Sequence, residues 1–123
     1  QNKNHSFIPI ISLTIIGSNE RMNKNFKSKQ YFISLEDYSF KIDELGLIIE
    51  NLEKLNLISV DFMQFSKDEQ IYENLKNEAN ILYKPTFKGL ETIYNCECNI
   101  GIKSKGILSL TNIGQNLLNI CLL

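Results

Sequence analysis

A change of hydrophobic period at residue 56 constrains the fold of this chain more than any other feature. Before it, apolar residues at positions 45, 48, 49, 52 and 55 recur with helical spacing and predict an amphipathic helix over residues 42–55. After it, Ile58, Val60 and Phe62 alternate with their neighbours, which predicts a half-buried strand. Asn56 lies between the two and predicts a left-handed helix end. The sequence therefore predicts a helix that feeds directly into a sheet.

The C-terminal third of the chain predicts a β-hairpin followed by a helix. Residues 96–102 alternate in polarity, residues 103–106 read as a lysine- and glycine-containing turn, and residues 107–110 are mostly apolar again. Thr111 is then the predicted N-cap of a helix over residues 112–122. The spacing of Ile113, Leu117 and Ile120 or Cys121 predicts that these side chains face the core.

The rest of the 123-residue chain reads as mainly helical. The apolar run at residues 7–16 is too short to cross a bilayer and predicts a core helix that begins at Ser6. Residues 19–27 and 67–82 predict two more helices, residues 31–35 a strand or extended segment, and residues 86–94 are ambiguous. With no repeat or low-complexity linker, residues 1–123 are expected to form a single domain. Because the chain starts at Gln1, we expect it to be a fragment of a longer protein.

Two segments together resemble a winged helix-turn-helix domain. The first is the run at residues 49–58, where a Leu-x-x-Leu pattern leads into a strand, and the second is residues 106–114, which contain Leu-Thr-x-x-Gly. The resemblance implies an α+β, winged-helix-like fold, mostly helical with a small antiparallel β-wing. The predicted helix at residues 67–82 would then be an insertion within the wing.

More narrowly, the chain resembles the bacterial abortive infection alpha (Abi-alpha) family of uncharacterised proteins. The likeness rests on residues 5–11 (HSFIPII), 51–58 (NLEKLNLI) and 110–121 (LTNIGQNLLNIC), and it spans nearly the whole chain. Asn56 stands where the family pattern usually has glycine before the final Leu-Ile. The resemblance implies a role near phage defence and supplies no mechanism.

Charge argues against DNA as the main partner. The chain has 13 Lys+Arg and 14 Asp+Glu, for a net charge of −1, whereas duplex-binding domains are usually basic. The predicted groove-facing helix at residues 42–55 carries Asp43, Glu44, Glu50 and Glu53 against Lys54, so phosphates would repel it. We therefore predict a protein partner or a second copy of the chain. The candidate partner contacts are Leu47, Asn51, Lys54, Met63 and Phe65.

An alternative function is a DNA-binding regulator that uses a basic wing and a basic N-terminal helix. Lysines near the predicted hairpin tip and cations in the predicted helix at residues 19–27 would contact phosphates. The candidate phosphate contacts are Arg21, Lys24, Lys27, Lys103 and Lys105. Solvated loop and helix ends explain the same residues without nucleic acid.

The sequence contains no catalytic motif, and we expect neither a metal nor a cofactor. Cys96 and Cys98 share one side of a predicted strand, but only Cys121 and His5 remain as further soft ligands, too few and too distant to favour zinc. A Cys–His nucleophile pair is equally unsupported, and the acidic clusters at residues 36–37 and 43–44 are explained as helix-starting carboxylates. The odd number of cysteines suggests reduced thiols. We thus predict a non-catalytic regulatory or protein-interaction module in the cytoplasm.

Overall fold

Four antiparallel strands and four helices make up the described part of the chain. The computed structural model describes residues 7–35 and 42–121, except for the side chains at 27–29 and 43. In chain order the elements are β1 (Ile8–Ser18), β2 (Asn23–Phe32), α1 (Ile42–Lys54), β3 (Ile58–Asp61), α2 (Glu69–Leu82), α3 (Lys84–Tyr94), β4 (Glu97–Leu110) and α4 (Asn112–Cys121).

The sheet has the strand order β2-β1-β4-β3. Its two central strands are long, with 11 residues in β1 and 14 in β4. They pair antiparallel from Ile8 opposite Leu108 to Ser18 opposite Glu97. The last four residues of β4, from Ile107 to Leu110, also pair with β3. Strand β4 therefore links the N-terminal hairpin to the short β3.

The helix predicted over residues 7–16 is wrong, because this segment is the central strand β1. All six residues from Ile10 to Ile15 are buried, and four of them are β-branched. A strand covered on both faces loses the polar–apolar alternation that identifies a half-buried strand, so periodicity could not separate it from a buried helix. The abundance of isoleucine was the available signal, since branched side chains favour strands.

The helix predicted over residues 19–27 is also wrong. Residues 23–32 form β2, which pairs with β1 from Ser18 opposite Asn23 to Ile11 opposite Phe32. The Asn19 carboxamide oxygen accepts hydrogen bonds from the amides of Arg21 (2.7 Å) and Met22 (2.9 Å), which closes the connecting turn. Asparagine commonly makes such turns, so Asn19 marks a turn here rather than the first turn of a helix.

The predicted C-terminal hairpin is wrong as well, because β4 runs unbroken through residues 103–106. The register shifts between the pairs Ser12–Ser104 and Leu13–Ile102, so Lys103 is an extra residue that bulges from the ladder. Gly106 does not turn the chain. It allows close packing, since a Cβ there would lie 2.6 Å from the Asp61 carbonyl oxygen.

These corrections overturn the winged-helix architecture. The fold is α+β, but the sheet is a major component rather than a small wing. The two pairs of elements that resembled parts of a winged helix, α1–β3 and β4–α4, do exist. Helices α2 and α3 lie between β3 and β4. Strand β4 pairs mainly with β1, which a winged helix does not predict.

The core lies on both faces of the sheet. Along β2, Gln30 accepts a hydrogen bond from the Tyr83 hydroxyl (2.7 Å) between α2 and α3, so this face meets those two helices. The next side chain, Tyr31, points to the opposite face, where its ring packs against Phe62. Burial raises the pKa of its hydroxyl, and the nearby carboxylates of Glu53 and Glu50 on α1 raise it further. Helix α1 therefore covers one face of the sheet, and α2 with α3 covers the other.

Side chains of α2 and α3 complete the edge of β4 that β3 leaves open. The Asn80 carboxamide oxygen accepts from the amide of Ile100 (3.0 Å), and the Glu91 carboxylate accepts from the amide of Cys98 (2.9 Å). The Tyr72 hydroxyl donates to the carbonyl of Gly106 (3.0 Å). These bonds satisfy backbone groups that would otherwise offer a pairing edge to another chain.

Several expectations from the sequence are confirmed. Helix α1 and strand β3 lie where the change of period predicted them, and Asn56 between them has a φ of 60°. The predicted helices at residues 67–82 and 112–122 correspond to α2 and α4, and the ambiguous segment at residues 86–94 belongs to α3. In the described ranges, no helix combines the length and the apolar character needed to cross a bilayer.

Candidate interaction surface

Helix α4 is attached to the rest of the molecule through its first turn. The amide of Thr111 donates to the carbonyl of Leu57 (3.1 Å), and the Thr111 hydroxyl donates to the carbonyl of Asn56. The same hydroxyl oxygen accepts from the amide of Gly114 (3.0 Å), so Thr111 is the N-cap that the sequence predicted. The start of α4 is therefore fixed against the connection between α1 and β3.

That connection is itself held in one conformation. The amide of Asn56 donates to the carbonyl of Glu53 (2.9 Å), and the amide of Leu57 donates to the carbonyl of Leu52 (3.0 Å). This pair of bonds around a left-handed residue is a Schellman motif. It presents the carbonyls of Asn56 and Leu57 to α4, so the end of one helix positions the beginning of another.

Gly114 is the point of closest approach between α4 and this connection. A Cβ at this position would lie 1.9 Å from the carbonyl oxygen of Leu57, which no side chain can occupy without movement of the backbone. Gly114 is also the buried residue of α4. The helix is thus held by backbone contact at one turn rather than by a stripe of buried side chains.

The apolar side chains of α4 face solvent. The prediction that Ile113, Leu117 and Ile120 or Cys121 face the core is wrong, because Ile113 is 53%, Leu117 45% and Ile120 65% exposed. Cys121 is exposed too. The spacing was correct for an amphipathic helix, but nothing in the described chain covers its apolar side.

We use the term α4 surface for the exposed apolar side chains of this helix and of its attachment point. Leu110 immediately precedes Thr111, and Leu55 precedes Asn56, so both belong to the segments that hold α4. The members of the α4 surface are Leu55, Leu110, Ile113, Leu117 and Ile120, each 39–66% exposed. Leu118 is also exposed, but it lies one turn after Gly114 on another side of the helix and is not a member.

The α4 surface lies on a helix without charge. On a helical projection, Ile113, Leu117 and Ile120 share one side, while Gln115 and Asn119 lie on the other and are joined by a side-chain hydrogen bond (3.1 Å). None of the ten residues of α4 is charged. This surface can bury apolar area against another apolar surface, but α4 has no charged side chain that could form an ion pair with a partner.

The predicted partner contacts fall into two groups. Leu47, Asn51 and Lys54 are all exposed on α1, and their spacing of four and three residues places them on one side of that helix. Met63 and Phe65 are exposed in the segment after β3. The structure therefore places all five at the surface, but none of them belongs to the α4 surface.

The predicted phosphate contacts are divided between two ends of the sheet. Arg21 lies in the β1–β2 turn, Lys24 and Lys27 are on β2, and the Lys27 side chain is outside the described set. Lys24 is opposite Gly17 and Lys105 is opposite Ile11. Six residues of strand separate those two positions, which is about 20 Å. The cations therefore do not form one continuous strip.

One surface depression combines residues from both predicted sets. It measures about 520 Å³, and its lining includes Phe62, Phe65, Lys103 and Lys105. The ammonium of Lys105 is already paired with the carboxylate of Glu69 at 2.5 Å. That pairing leaves the depression with less free positive charge than the sequence suggested.

Comparison of the sequence with protein-family models gives a match to one family. The model for abortive infection alpha matches residues 2–121. The chain belongs to that family. The resemblance predicted from the sequence is thereby confirmed at the level of the family, although the winged helix that accompanied it is not. No curated protein and no solved structure gives a significant match to the chain.

Cys96, just before β4, and Cys98, within β4, form a thiol pair rather than a disulfide. The sulfurs of Cys96 and Cys98 are 3.9 Å apart, and both residues are half-buried and free. Burial, together with the hydrogen bond and charge of Cys96, raises the pKa of the Cys98 thiol to about 11. Among the described residues, no three His, Cys, Asp or Glu side chains cluster closely enough to hold a metal ion.

Several groups that were considered as nucleophiles or metal ligands and set aside lie outside the described residues. His5 and the acidic pair at residues 36–37 lie outside the described residues, as does the Asp43 side chain. Glu44 is exposed on the first turn of α1. Cys121 lies on α4, at the other end of β4 from the Cys96–Cys98 pair, so the three thiols do not converge.

The α4 surface is the feature that reasoning from the sequence missed. Ile113, Leu117 and Ile120 were assigned to the core because their spacing is helical. The available signal was the composition of residues 112–121, which contain four amide side chains and no charge. Solvated faces of helices usually carry charged residues, so an uncharged polar face is unusual for a helix end in water.

Proposed function

We propose that this chain is a non-catalytic interaction module of an abortive-infection system in the cytoplasm, and that it docks a protein through the α4 surface. Membership of the abortive infection alpha family supports the biological setting. The carrying observation is the exposure of Leu55, Leu110 and three apolar side chains on one side of α4, a helix that is held by a single anchoring turn.

The physical argument concerns the cost of leaving such a surface in water. Burial of apolar area stabilises an assembly by about 25 cal/mol per Å². Proteins that function as monomers seldom expose a contiguous apolar patch of more than a few hundred Å², and larger patches mark sites of interaction. The anchoring of α4 by Thr111 and Gly114 also supports docking, because a fixed helix loses less conformational entropy on binding.

A phage-challenge assay tests this proposal. Full-length protein, with its native neighbouring genes, is expressed in a susceptible host as wild type, as Leu117→Glu and as Gln115→Glu. Leu117 lies on the α4 surface, and Gln115 lies on the polar side of the same helix. We expect wild type and Gln115→Glu to reduce the efficiency of plating of a phage panel, and Leu117→Glu to lose that protection at equal protein level. Full protection by Leu117→Glu would refute the proposal.

Nucleic acid is the competing partner, and the positions of the cations favour it less. Lys24 and Lys105 are about 20 Å apart along the sheet, and Lys105 is paired with Glu69. Fluorescence anisotropy with random duplex DNA at low and high salt distinguishes the two partners. We expect no saturable binding to the DNA at micromolar protein concentrations. Micromolar binding that weakens steeply with salt would favour the DNA-binding regulator instead.

A further inference from the structure

We propose that the α4 surface is an interface between two copies of this chain. This inference rests on the proposed function, because it names the partner of the same surface. Three properties of the surface support a second copy: the distribution of charge among the helices, the size of the exposed apolar area, and the composition of the polar side of α4.

Charge is the first property. In a two-fold interface the same surface occurs on both partners, so a charged residue near the axis meets a like charge. Helices α1, α2 and α3 all carry charged side chains, among them Glu44, Glu73 and Lys88, which are exposed. Helix α4 carries none. Among the described helices, α4 can therefore face its own copy without electrostatic repulsion.

The area is the second property. The five side chains of the α4 surface are 39–66% exposed, which corresponds to roughly 350 Å² of apolar area per copy if a whole Leu or Ile side chain carries about 120–130 Å². A specific interface of standard size buries about 800 Å² per partner. The α4 surface supplies nearly half of that area, and the residues that flank it would supply the rest. We expect a reversible dimer rather than an obligate one.

The polar side of α4 distinguishes a second copy from two other occupants. Helices that lie in a membrane interface are typically rich in Lys and Arg on their polar side, whereas α4 has Gln115, Asn116 and Asn119 there. A charged peptide would find no counter-ion on this helix. A neutral apolar surface fits best, and a second α4 surface is one.

Sedimentation velocity of the full chain over a range of concentrations tests the dimer. Wild type is compared with Leu117→Glu, with the uncharged Ile120→Gln, and with Gln115→Glu as the matched control on the polar side. We expect wild type and the control to dimerise with the same dissociation constant. The two apolar variants should raise that constant at least about 30-fold, since Leu117 and Ile120 would lie at the centre of the interface. Circular dichroism checks that each variant is folded.

Two outcomes would overturn the dimer. One is a wild-type protein that sediments as a monomer at all concentrations up to about 1 mM, the weak limit of specific association. The other is dimerisation of both folded apolar variants with the wild-type constant. The phage assay is read separately. A monomeric wild type combined with loss of protection by Leu117→Glu would reject the second copy and retain a different protein partner.

Discussion

Helices α2 and α4 have the same kind of amphipathic sequence and opposite environments. Tyr72, Leu75 and Ala79 of α2 are buried against the sheet, whereas Leu117 and Ile120 of α4 are exposed. Their polar sides differ as well, since α2 presents charged residues such as Glu73 and α4 presents only amides. Apolar spacing therefore identifies an amphipathic helix but does not identify what covers it, and the charge of the polar side carries the additional information.

The largest expected effect compares equivalent truncations in the two helices. Leu75→Ala should lower the free energy of unfolding by about 2–5 kcal/mol, because it leaves a cavity in the core. Leu117→Ala should change the stability of the monomer by less than about 1 kcal/mol, because nearly half of its surface is already exposed to water. Urea denaturation followed by circular dichroism, at a concentration below the dimer dissociation constant, measures both. Equal losses would show that α4 is packed in solution.

The next effect concerns the attachment of α4. Gly114→Ala should cost about 1–3 kcal/mol, because its Cβ would overlap the carbonyl oxygen of Leu57. Gly89→Ala is the control, since a Cβ at that exposed helical position meets nothing within 4 Å. The control should stabilise the protein by up to about 1 kcal/mol through helix propensity. Thermal unfolding of the two variants distinguishes a packing effect from a propensity effect, and a stabilising Gly114→Ala would contradict the close contact.

A smaller effect tests how α2 closes the sheet edge. The hydroxyl of Tyr72 accepts from the amide of Ser66 (2.9 Å) and donates to the carbonyl of Gly106. Tyr72→Phe should therefore lower the free energy of unfolding by about 1–2 kcal/mol, because it leaves buried polar groups without that partner. Tyr94→Phe, at an exposed position, should change it by less than about 0.5 kcal/mol. Equilibrium unfolding in urea measures both, and equal values would argue against the edge contact.

The sequence predicted the local elements best where a cap and a period agreed. Helix α1 with Asn56, and α4 with Thr111, were predicted by cap residues that the structure confirms. Strand β1 was missed because both of its faces are buried, and burial on both faces removes the alternation that reveals a strand. The continuity of β4 through Gly106 depends on pairing with β1, which lies about 90 residues away and leaves no local signal.

The candidate surface could be predicted only in part for the same reason. Met63 and Phe65 were named from the sequence as candidate partner contacts, and the structure places both at the surface. The α4 surface was not expected, because exposure of a regular stripe depends on whether another element packs against it. That is a tertiary property, and the spacing of Ile113, Leu117 and Ile120 is compatible with either environment.

The smallest expected effect compares a thiol on α4 with one beneath α3. The thiolate is the reactive form of cysteine, and the pKa of Cys98 is raised from 9.0 to about 11, so Cys98 is almost wholly protonated at pH 8. Cys121 is exposed. Iodoacetamide labelling followed by mass spectrometry should therefore modify Cys121 first at pH 8, with the difference between the two rates narrowing as the pH approaches 11.

The raised pKa of Cys98 also makes the stability of the protein depend on pH. Because the folded state holds the Cys98 proton more tightly than the unfolded state, its contribution is fully present below pH 9 and is lost as the pH rises toward 11. Cys98→Ala should remove this part of the pH dependence, and Cys121→Ala should leave it unchanged. Unfolding free energies between pH 8 and pH 11 measure the difference from wild type. If the unfolding free energy fell equally steeply with pH in wild type and in Cys98→Ala, Cys98 would be as accessible to water as Cys121. The contrast between the covered sheet and the exposed α4 would then not extend to their thiols.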